Sequence, residues 1–166
     1  MTANASIATR KSDMDIGEFV ALTGKGTALA GLDIGDKTIG VAVSDTLWWT
    51  ATPLKTVFRK SFRYDMEELS KILAGREISG FVSGLPLEMS GNEGERAAVT
   101  RAVAQQIADR FGKPVFFQDE RLSSAAAERV MIGAFDMSRK KRKERLDSGA
   151  AAFILQGFLD RVRNLP

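Results

Sequence analysis

The apolar residues of this chain occur in short runs that are separated by polar turns and amphipathic segments. Five of these runs have the length and the β-branched content of strands. They cover residues 28–34, 39–43, 54–58, 78–85 and 114–118. The first two flank the tight loop Gly35-Asp36-Lys37-Thr38, which predicts a β-hairpin, and Pro53 marks the start of the third. The last two are almost continuously apolar, which is typical of strands covered on both faces.

Segments with apolar side chains at helical spacing lie before, between and after these strands. A short helix capped by Ser12 or Asp13 is expected to reach Leu22 and to end at Gly24-Lys25-Gly26. A second helix is predicted at residues 62–74, and a third, alanine-rich one runs from Ser123 or Ser124 to about Ile132. Between them, a long helix is predicted after Gly91-Asn92, and its inward residues are Val99, Val103, Ile107 and Phe111. The last predicted helix begins at about Leu146, and its inward residues are Ala150, Phe153, Ile154 and Phe158. The order β-β-β-α-β-α-β-α-α predicts an α/β fold, in which a mixed sheet carries helices on both faces.

The chain of 166 residues is long enough for one domain with its own core. Residues 1–11 are polar and are expected to form a disordered leader. Residues 1–26 are therefore predicted to be an extension, and residues 27–163 a single domain. No apolar run approaches the ~20 residues needed to cross a bilayer, and the N-terminus lacks the apolar stretch of a secretory signal. A cytoplasmic location is expected.

Two absences from the composition restrict the chemistry. The chain has no cysteine, which excludes disulfides, thiolate zinc sites and cysteine nucleophiles. It also has no histidine, so no imidazole can act as a general base or as a metal ligand. Any hydrolysis must therefore use carboxylates, lysine or metal-activated water.

Most of the basic character of the chain comes from one run, SRKKRKER at residues 138–145. Outside this run the chain holds 18 basic and 20 acidic side chains, so its pI of about 9.3 reflects a local patch. Patches of this kind usually contact phosphates. The run is predicted to bind a nucleic-acid backbone through Arg139, Lys140, Lys141, Arg142, Lys143 and Arg145. The alternative is that it forms a solvated face.

Three carboxylates lie at positions where a sheet could bring them together. Asp33 interrupts the first apolar strand, Glu120 follows the last strand, and Asp147 is expected in the first turn of the final helix. Clustered carboxylates repel one another, and a hard divalent cation such as Mg²⁺ or Mn²⁺ relieves that repulsion. The three acids are therefore candidate metal ligands and catalytic groups for phosphodiester hydrolysis.

Two of these acids have a simpler interpretation. Asp147 near a helix start could serve as a cap or as a partner of the helix dipole. Glu120 beside Arg121 could form a surface ion pair. Asp33 has fewer alternatives, because a central strand gives a carboxylate little else to contact.

Four motifs occur in the order seen in the YqgF family, also called RuvX, and the chain resembles that family over about residues 28–160. The motifs are GLDIGDKTIGVAVSD, SGLPLEMSGNEG, FQDERLSS and DSGAAAFILQGFLD. The resemblance implies a ribonuclease H-like five-stranded fold and a metal-dependent nuclease. It also implies a role in maturing the 5′ end of pre-16S rRNA or, by similarity to RuvC resolvases, in cutting branched DNA.

The resemblance assigns the catalytic and metal-binding acids by motif to Asp33, Glu120 and Asp147. RuvC-type relatives have a further acid at the end of the fourth strand. Here that strand ends in Gly84-Leu85-Pro86 without one. Glu88 is the nearest acid in sequence, and Asp119 is a second candidate ligand that ranks below Glu120.

Other residues are candidates for contact with the substrate backbone. Lys37 lies in the hairpin loop, where glycines would allow close approach of a phosphate, although a plain hairpin needing positive φ explains them as well. Asn92 and Arg96 follow the fourth strand, at the end where α/β proteins place ligands. Arg121 could hold a phosphate or orient Glu120. Trp48-Trp49 is more simply explained by packing of a hairpin end than by base stacking.

Two other functional classes are consistent with parts of this pattern. The phosphate-binding ATPases of the actin type share the D-x-G-x₄-G hairpin, but they need two such domains and a second glycine-rich hairpin. A non-catalytic RNA-binding factor for ribosome assembly could keep the same fold. A nucleic-acid substrate is expected in either nuclease interpretation, and the sequence leaves a monomer or a homodimer open.

Overall fold

The computed structural model describes residues 13–24, 26–120 and 139–166, and it describes side chains within the last segment only from residue 148 onward. The strands are β1 (Ala28–Ile34), β2 (Thr38–Ser44), β3 (Ala51–Phe58), β4 (Ile78–Leu85) and β5 (Val115–Asp119). The helices are α1 (Ile16–Thr23), α2 (Phe62–Leu73), α3 (Glu95–Phe111) and α4 (Arg139–Arg163). The helix predicted from residue 123 or 124 to residue 132 and the leader at residues 1–11 lie outside the described residues.

The five strands form one mixed sheet in the order β3-β2-β1-β4-β5. The first three strands are antiparallel neighbours, with Asp33 opposite Gly40 in the β1–β2 pair. β4 runs parallel to β1, and β5 runs parallel to β4. The carboxyl ends of β1, β4 and β5 therefore meet at one edge of the sheet, which is where α/β proteins commonly bind ligands.

Helices cover both faces of the sheet, as predicted. On one face, α2 and α3 bury a cluster that includes Leu69, Phe81 and Ile107. On the other face, α1 and α4 bury a second cluster that includes Phe19 and Phe158. The inner strands read as apolar on both faces because each face has its own core.

Helix α1 begins later than the sequence indicated. Its N-cap is Asp15, whose carboxylate accepts a hydrogen bond from the Glu18 backbone, and Glu18 in turn accepts one from the Asp15 backbone. This reciprocal capping box satisfies two N–H groups at once, so Asp15 and not Asp13 caps the helix, and Ser12 lies outside the described residues. The helix ends at Gly24, as predicted, where φ is 71°.

Strand β3 is longer than predicted, because it starts at Ala51 and includes Pro53. Pro53 lies opposite Ala42, next to a register irregularity in the partner strand. Since β3 is an edge strand, its proline removes no hydrogen bond from the interior of the sheet. The hairpin end before it is closed by Trp48, which is 1% exposed and donates its indole N–H to the carbonyl of Thr27. This confirms the packing role predicted for Trp48, but the same prediction is wrong for Trp49, which is 60% exposed.

Helix α3 does not bury the apolar stripe that its spacing suggested. Val99 is 51% exposed, and Val103 and Phe111 are only partly buried, whereas Ile107 lies in the core as predicted. The face turned to the sheet consists mostly of small residues: Ala97, Thr100, Ala104 and Ala108. Small side chains let the helix approach the sheet closely, so they take the inner positions and Val99 is left outside.

Helix α4 begins at Arg139 instead of about Leu146, so the basic run forms its first turns. Asp147 is consequently more than two turns inside the helix, and its interpretation as a cap or dipole partner at the helix start is wrong. Ile154 and Phe158 are buried as predicted, while Ala150 and Phe153 are half-buried. The helix crosses β1 at Gly31, where an added Cβ would lie 2.8 Å from Cβ of Leu155.

Candidate active site

The carboxylates of Asp33 and Glu120 meet at the carboxyl edge of the sheet. Asp33 is the sixth residue of β1, and Glu120 directly follows β5. The two side chains are joined by a hydrogen bond, although β4 separates their strands. The structure therefore brings together two of the three acids predicted from the sequence.

Gly84 of β4 makes this meeting possible. An added Cβ at Gly84 would lie 2.6 Å from both Cγ and Oε1 of Glu120, and 2.7 Å from Cδ1 of Ile154. When a Cβ atom would lie closer than 3.0 Å to another heavy atom, the backbone or the neighbouring side chain has to move. Glu120 thus passes across the end of β4 through the space that a side chain at residue 84 would fill. β4 has no acid at its end, and the side chain of Glu120 lies at that place.

The environment of Glu120 strongly favours its protonated form. Burial is the largest cause, followed by the hydrogen bond with Asp33 and by the negative charge of Asp33. Asp119 adds to the effect and the positive charge of Arg96 opposes it. Together they raise the pKa of Glu120 to about 8. In the metal-free protein, the Asp33–Glu120 pair therefore retains a proton at neutral pH.

Two half-buried carboxylates that share a proton are a donor set suited to a hard divalent cation, which would take the place of that proton. Among the side chains that the structure describes, no three acidic groups are close enough to hold a metal together. The third predicted ligand, Asp147, belongs to the part of α4 whose side chains are not described. Its neighbour Ser148 is buried, so this turn of α4 lies against the body of the protein.

The hairpin loop beside Asp33 places Lys37 at the surface. The backbone N–H of Gly35 donates to the carbonyl of Thr38 at 2.8 Å, and Lys37 is exposed. Neither Gly35 nor Gly40 has a positive φ, so the explanation of these glycines by a turn that requires positive φ is wrong. The carbonyl of Lys37 accepts a hydrogen bond from the backbone N–H of Arg59, which joins this loop to the end of β3.

The loop between β4 and α3 carries two more predicted contact residues. Asn92 and Arg96 are both exposed. The loop is closed on itself by the Glu88 N–H, which donates to the Asn92 carbonyl at 2.9 Å. Arg96 lies close enough to Glu120 for its charge to lower the pKa of that carboxyl. The structure thus links Arg96 to the acid pair and leaves Asn92 at the surface of the loop.

Sequence reasoning missed Arg101, which anchors this loop. Its guanidinium makes a bidentate contact with Glu93, through Nε at 3.0 Å and Nη2 at 2.9 Å, and it also contacts Asp13. The same group lies 4.7 Å from the ring centroid of Phe117 in β5. Arg101 and Glu93 are eight residues apart, so no helical spacing of charges signals this pair.

Arg59 was also missed, and it forms one wall of a cavity of about 310 Å³ between the hairpin loop and α3. Its Nη1 donates to the carbonyl of Gly35 at 2.6 Å, and its Nε lies 3.7 Å from Oδ2 of the buried Asp65. Arg59 follows an edge strand, and nothing in its immediate sequence distinguishes it from the neighbouring exposed Lys60.

The remaining predicted contact residues are Arg121 and the basic run at the start of α4. Arg121 is outside the described residues. The six basic residues of the run occupy the first two turns of α4, and their side chains are likewise outside the description. Their proposed contacts with nucleic acid stay predictions.

Comparison with known proteins identifies the family. The family model described as RuvX, Holliday junction resolvase, matches residues 27–161. The chain belongs to the RuvX family. A protein of Rhodobacter capsulatus named "Putative pre-16S rRNA nuclease" is 54% identical over 148 residues, which cover 89% of this chain and 92% of that one. A protein of Sphingopyxis alaskensis with the same name is 52% identical over 143 residues, or 86% of this chain and 93% of that one.

Among solved structures, this RuvX chain resembles the RuvC of T. thermophilus in complex with a Holliday junction substrate. The TM-score is 0.53 and the sequence identity is 15%, over 83% of this chain and 97% of that one. The similarity confirms the predicted ribonuclease H-like α/β fold. Within the described residues, no helix is both long enough and apolar enough to span a membrane.

Proposed function

We propose that this RuvX protein is a metal-dependent endonuclease that hydrolyses phosphodiester bonds, with the 5′-end maturation of pre-16S rRNA as its favoured task. The observation that supports this best is the proton-sharing pair of Asp33 and Glu120 at the carboxyl edge of the sheet. Two carboxylates that lie this close together and are half-buried are unfavourable unless they bind something. The cytoplasm is the proposed place of action.

The proposed ligands of Mg²⁺ or Mn²⁺ are Asp33, Glu120 and Asp147. When bound, such a cation lowers the pKa of a water molecule and stabilises the leaving oxygen of a phosphodiester. Glu120 has to give up its proton before it can act as a ligand, and Arg96 favours that ionised form. Gly84 keeps the space free in which Glu120 lies against Asp33.

The proposed nucleic-acid contacts include Lys37 in the hairpin loop and Arg96 at the start of α3, which are both exposed. Asn92, Arg121 and the six basic residues at the start of α4 are proposed as further contacts. Contacts of this type position the backbone without reading the sequence.

The choice of RNA rests on the name of the relatives, "Putative pre-16S rRNA nuclease". Branched DNA is the second candidate, because the family model carries the description Holliday junction resolvase. Cutting a symmetric junction needs two active sites, so that task would require a dimer. A protein that stays monomeric in solution would favour RNA.

The test is cleavage of a labelled 16S precursor fragment and of a four-way DNA junction, each with Mg²⁺, Mn²⁺ or EDTA. Asp33→Asn, purified in parallel, identifies a contaminating nuclease, and Asp109→Asn on the exposed face of α3 is the matched control. We expect metal-dependent cutting of one substrate that is lost only in Asp33→Asn. Binding without cutting in every condition would contradict the enzyme and favour an assembly factor.

A further inference from the structure

The cavity beside the acid pair has the chemistry of a nucleobase site. It measures about 310 Å³ and is enclosed by the hairpin loop on one side and by the first turns of α3 on the other. We propose that it receives one unpaired base of the substrate, next to the bond that is cut, and that guanine is the base it fits best. The proposal rests on the proposed nuclease function and specifies which substrate feature that function recognises.

The cavity lies directly against the candidate catalytic acids. Ile34 and Gly35, which line it, are the two residues that follow Asp33 in the chain. Arg96 lines it as well and is also within electrostatic reach of Glu120. A nucleotide whose phosphate lies at the acid pair therefore has its own or its neighbour's base within reach of the cavity.

An exposed apolar side chain of α3 provides a surface on which a base can pack. Val99 is 51% exposed although it belongs to the apolar pattern of α3, and it lines the cavity together with Ile34, which is itself only 5% exposed. An exposed valine gains nothing from water, but it would bury apolar surface against the flat face of a base. The position of Val99, which is unexplained by core packing, is accounted for by such a ligand.

The polar groups of the cavity include both donors and acceptors of hydrogen bonds. Arg59 is held by the carbonyl of Gly35 and by Asp65, and the described part of the chain offers its other N–H groups no acceptor. An arginine has five N–H donors, so a ligand can use those that remain. Thr100 lines the same cavity, is 4% exposed, and its hydroxyl has no hydrogen-bond partner among the described residues.

The charge of the lining favours a neutral base over a phosphate. Two arginines, Arg59 and Arg96, are balanced by two carboxylates, Asp36 and Glu95. A phosphate in the cavity would face both carboxylates at short range, which is unfavourable. A base carries no net charge and presents donors and acceptors along its edges, so it can pair with both kinds of side chain.

Guanine matches this combination of partners. Its O6 and N7 are adjacent acceptors that suit an arginine, and its amino group is a donor that suits a carboxylate. Unpaired cytosine also has a donor and two adjacent acceptors, N3 and O2, but all of them lie on one edge of the ring. Guanine has its acceptors O6 and N7 on one edge and its N1–H and amino donors on another, so an arginine and a carboxylate can each bind it through two atoms. Unpaired bases are also the ones that proteins can reach, because their edges are not occupied by a complementary strand.

The test uses ¹⁵N-labelled full-length protein in EDTA, so that it depends on neither a metal nor cleavage. Guanosine 5′-monophosphate, cytidine 5′-monophosphate and ribose 5-phosphate are titrated while the amide signals of Gly35 and Thr100 and the Nε signal of Arg59 are followed. All three probes carry the same phosphate, so a difference between them reports on the base. We expect the guanosine probe to shift these signals and ribose 5-phosphate to leave them unchanged.

Two variants locate the binding. Glu95→Gln should lower the affinity for the guanosine probe about tenfold, which is the effect of losing one base-specific contact. Thr100→Val tests the buried hydroxyl without changing the shape of the side chain. Glu67→Gln, an exposed glutamate on α2, is the matched control and should bind like the wild type. Equal shifts with ribose 5-phosphate would show a phosphate site instead, and no shift with any probe would also overturn the proposal.

This result is separable from the nuclease test. Asp33→Asn should bind the guanosine probe as the wild type does, even if it has lost all cleavage. Loss of cleavage with base binding retained contradicts neither proposal, whereas cleavage without any base binding overturns only the base site.

Discussion

Glu120 carries the most informative single property of the molecule, a pKa raised to about 8 by burial and by its contact with Asp33. A carboxyl whose pKa is higher in the folded than in the unfolded chain keeps its proton better when folded. Folding is then favoured while the proton is present and loses that advantage as it dissociates. Without metal, this group makes the protein less stable as the pH rises from near 4.5 toward 8.

This dependence gives the first prediction. In EDTA, the free energy of unfolding of the wild type should decrease between pH 5 and pH 8 by an amount on the order of a few kcal/mol from this group. Glu120→Gln cannot ionise and should lose that contribution, so the variant should be the more stable of the two at pH 8. Urea denaturation at both pH values measures it. Parallel pH dependences in the two proteins would refute the assignment to Glu120.

Gly84 is the residue on which the position of Glu120 depends. Gly84→Ala would place a methyl group 2.6 Å from Glu120 and 2.7 Å from Cδ1 of Ile154, inside a packed core. We expect a destabilisation of about 1–3 kcal/mol, as for other overpacked sites, together with a lower apparent pKa of Glu120 if its side chain is pushed outward. Thermal unfolding and the pH dependence described above measure both effects.

The control for this substitution is Gly17→Ala on the exposed side of α1, where an added Cβ meets only Oδ1 of Asp15 at 3.4 Å. Because alanine is the better helix former, this control should gain up to about 1 kcal/mol. A Gly84→Ala protein that is as stable as the wild type would show that Glu120 does not need this space.

At the scale of elements, α1 belongs physically to the core, although the RuvX match begins after it at residue 27. Phe19 is fully buried and its ring centroid lies 5.4 Å from that of Phe158 in α4 and 5.8 Å from that of Phe116 in β5. The helix therefore joins the sheet to α4. We propose that residues 13–24 stabilise the nuclease domain instead of forming a separate unit.

Phe19→Ala tests this role of α1. Truncating a buried phenylalanine should lower the free energy of unfolding by about 3–5 kcal/mol. Leu22→Ala on the same helix should change it by less than about 0.5 kcal/mol, because Leu22 is 65% exposed. Denaturant titration of both variants decides the question, and equal effects would mean that α1 does not pack as described.

The loop between β4 and α3 depends on Arg101. Arg101→Met keeps much of the packing on Phe117 but removes the bidentate contact with Glu93. We expect faster hydrogen exchange in residues 86–94 and weaker nucleic-acid binding through Asn92 and Arg96. The Tm of the protein should change by only a few degrees, because the loop opens locally. Arg110→Met on the exposed end of α3 is the control, and unchanged exchange in the loop would refute the anchoring role.

The sequence predicted the elements whose signals are local. The apolar runs of β1, β2 and β4 were placed correctly because both of their faces are buried and their ends carry turn residues. The start of α4 was missed because a run of lysines and arginines has no apolar spacing, although both residues are good helix formers. The roles of Arg59 and Arg101 were missed because their partners are distant in sequence, and only the fold determines those contacts.

For the candidate site, the pattern identified Asp33 and Glu120 but not how they meet. An acid in an apolar strand is a strong signal, since few alternatives explain it. The dependence on Gly84 could not be anticipated, because the glycine belongs to a third strand that the sequence does not place between the other two. Val99 was misplaced for a related reason, since the spacing of apolar residues does not distinguish a core face from a ligand face.

At the scale of the whole molecule, basic charge is concentrated at one end of α4, and the rest of the chain is slightly acidic. Nucleic-acid affinity that comes from such a run should decrease steeply with salt, because binding releases counterions. Replacing Arg139, Lys140 and Lys141 by glutamine should reduce the slope of log Kd against log salt by about 2. Fluorescence anisotropy with a labelled 16S precursor fragment at several salt concentrations measures that slope.

The matched control replaces three exposed lysines elsewhere by glutamine: Lys55, Lys71 and Lys113. It makes the same change in net charge, so it separates a local contact from a general electrostatic effect. Equal slopes in the two triple variants would mean that the basic start of α4 is a solvated face.

Because α4 is one uninterrupted helix, the number of residues in its first turns determines the direction in which they face. Close packing against Gly31 of β1 fixes the second half of the helix, both in its rotation about the helix axis and in its position along that axis. An α-helix turns by about 100° and advances by about 1.5 Å with every residue. Inserting or deleting a single residue before 148 would therefore turn the whole upstream backbone, including position 147, by more than a quarter of a circle around the helix axis. Substitutions in this segment change its charge, whereas a change in its length would redirect it.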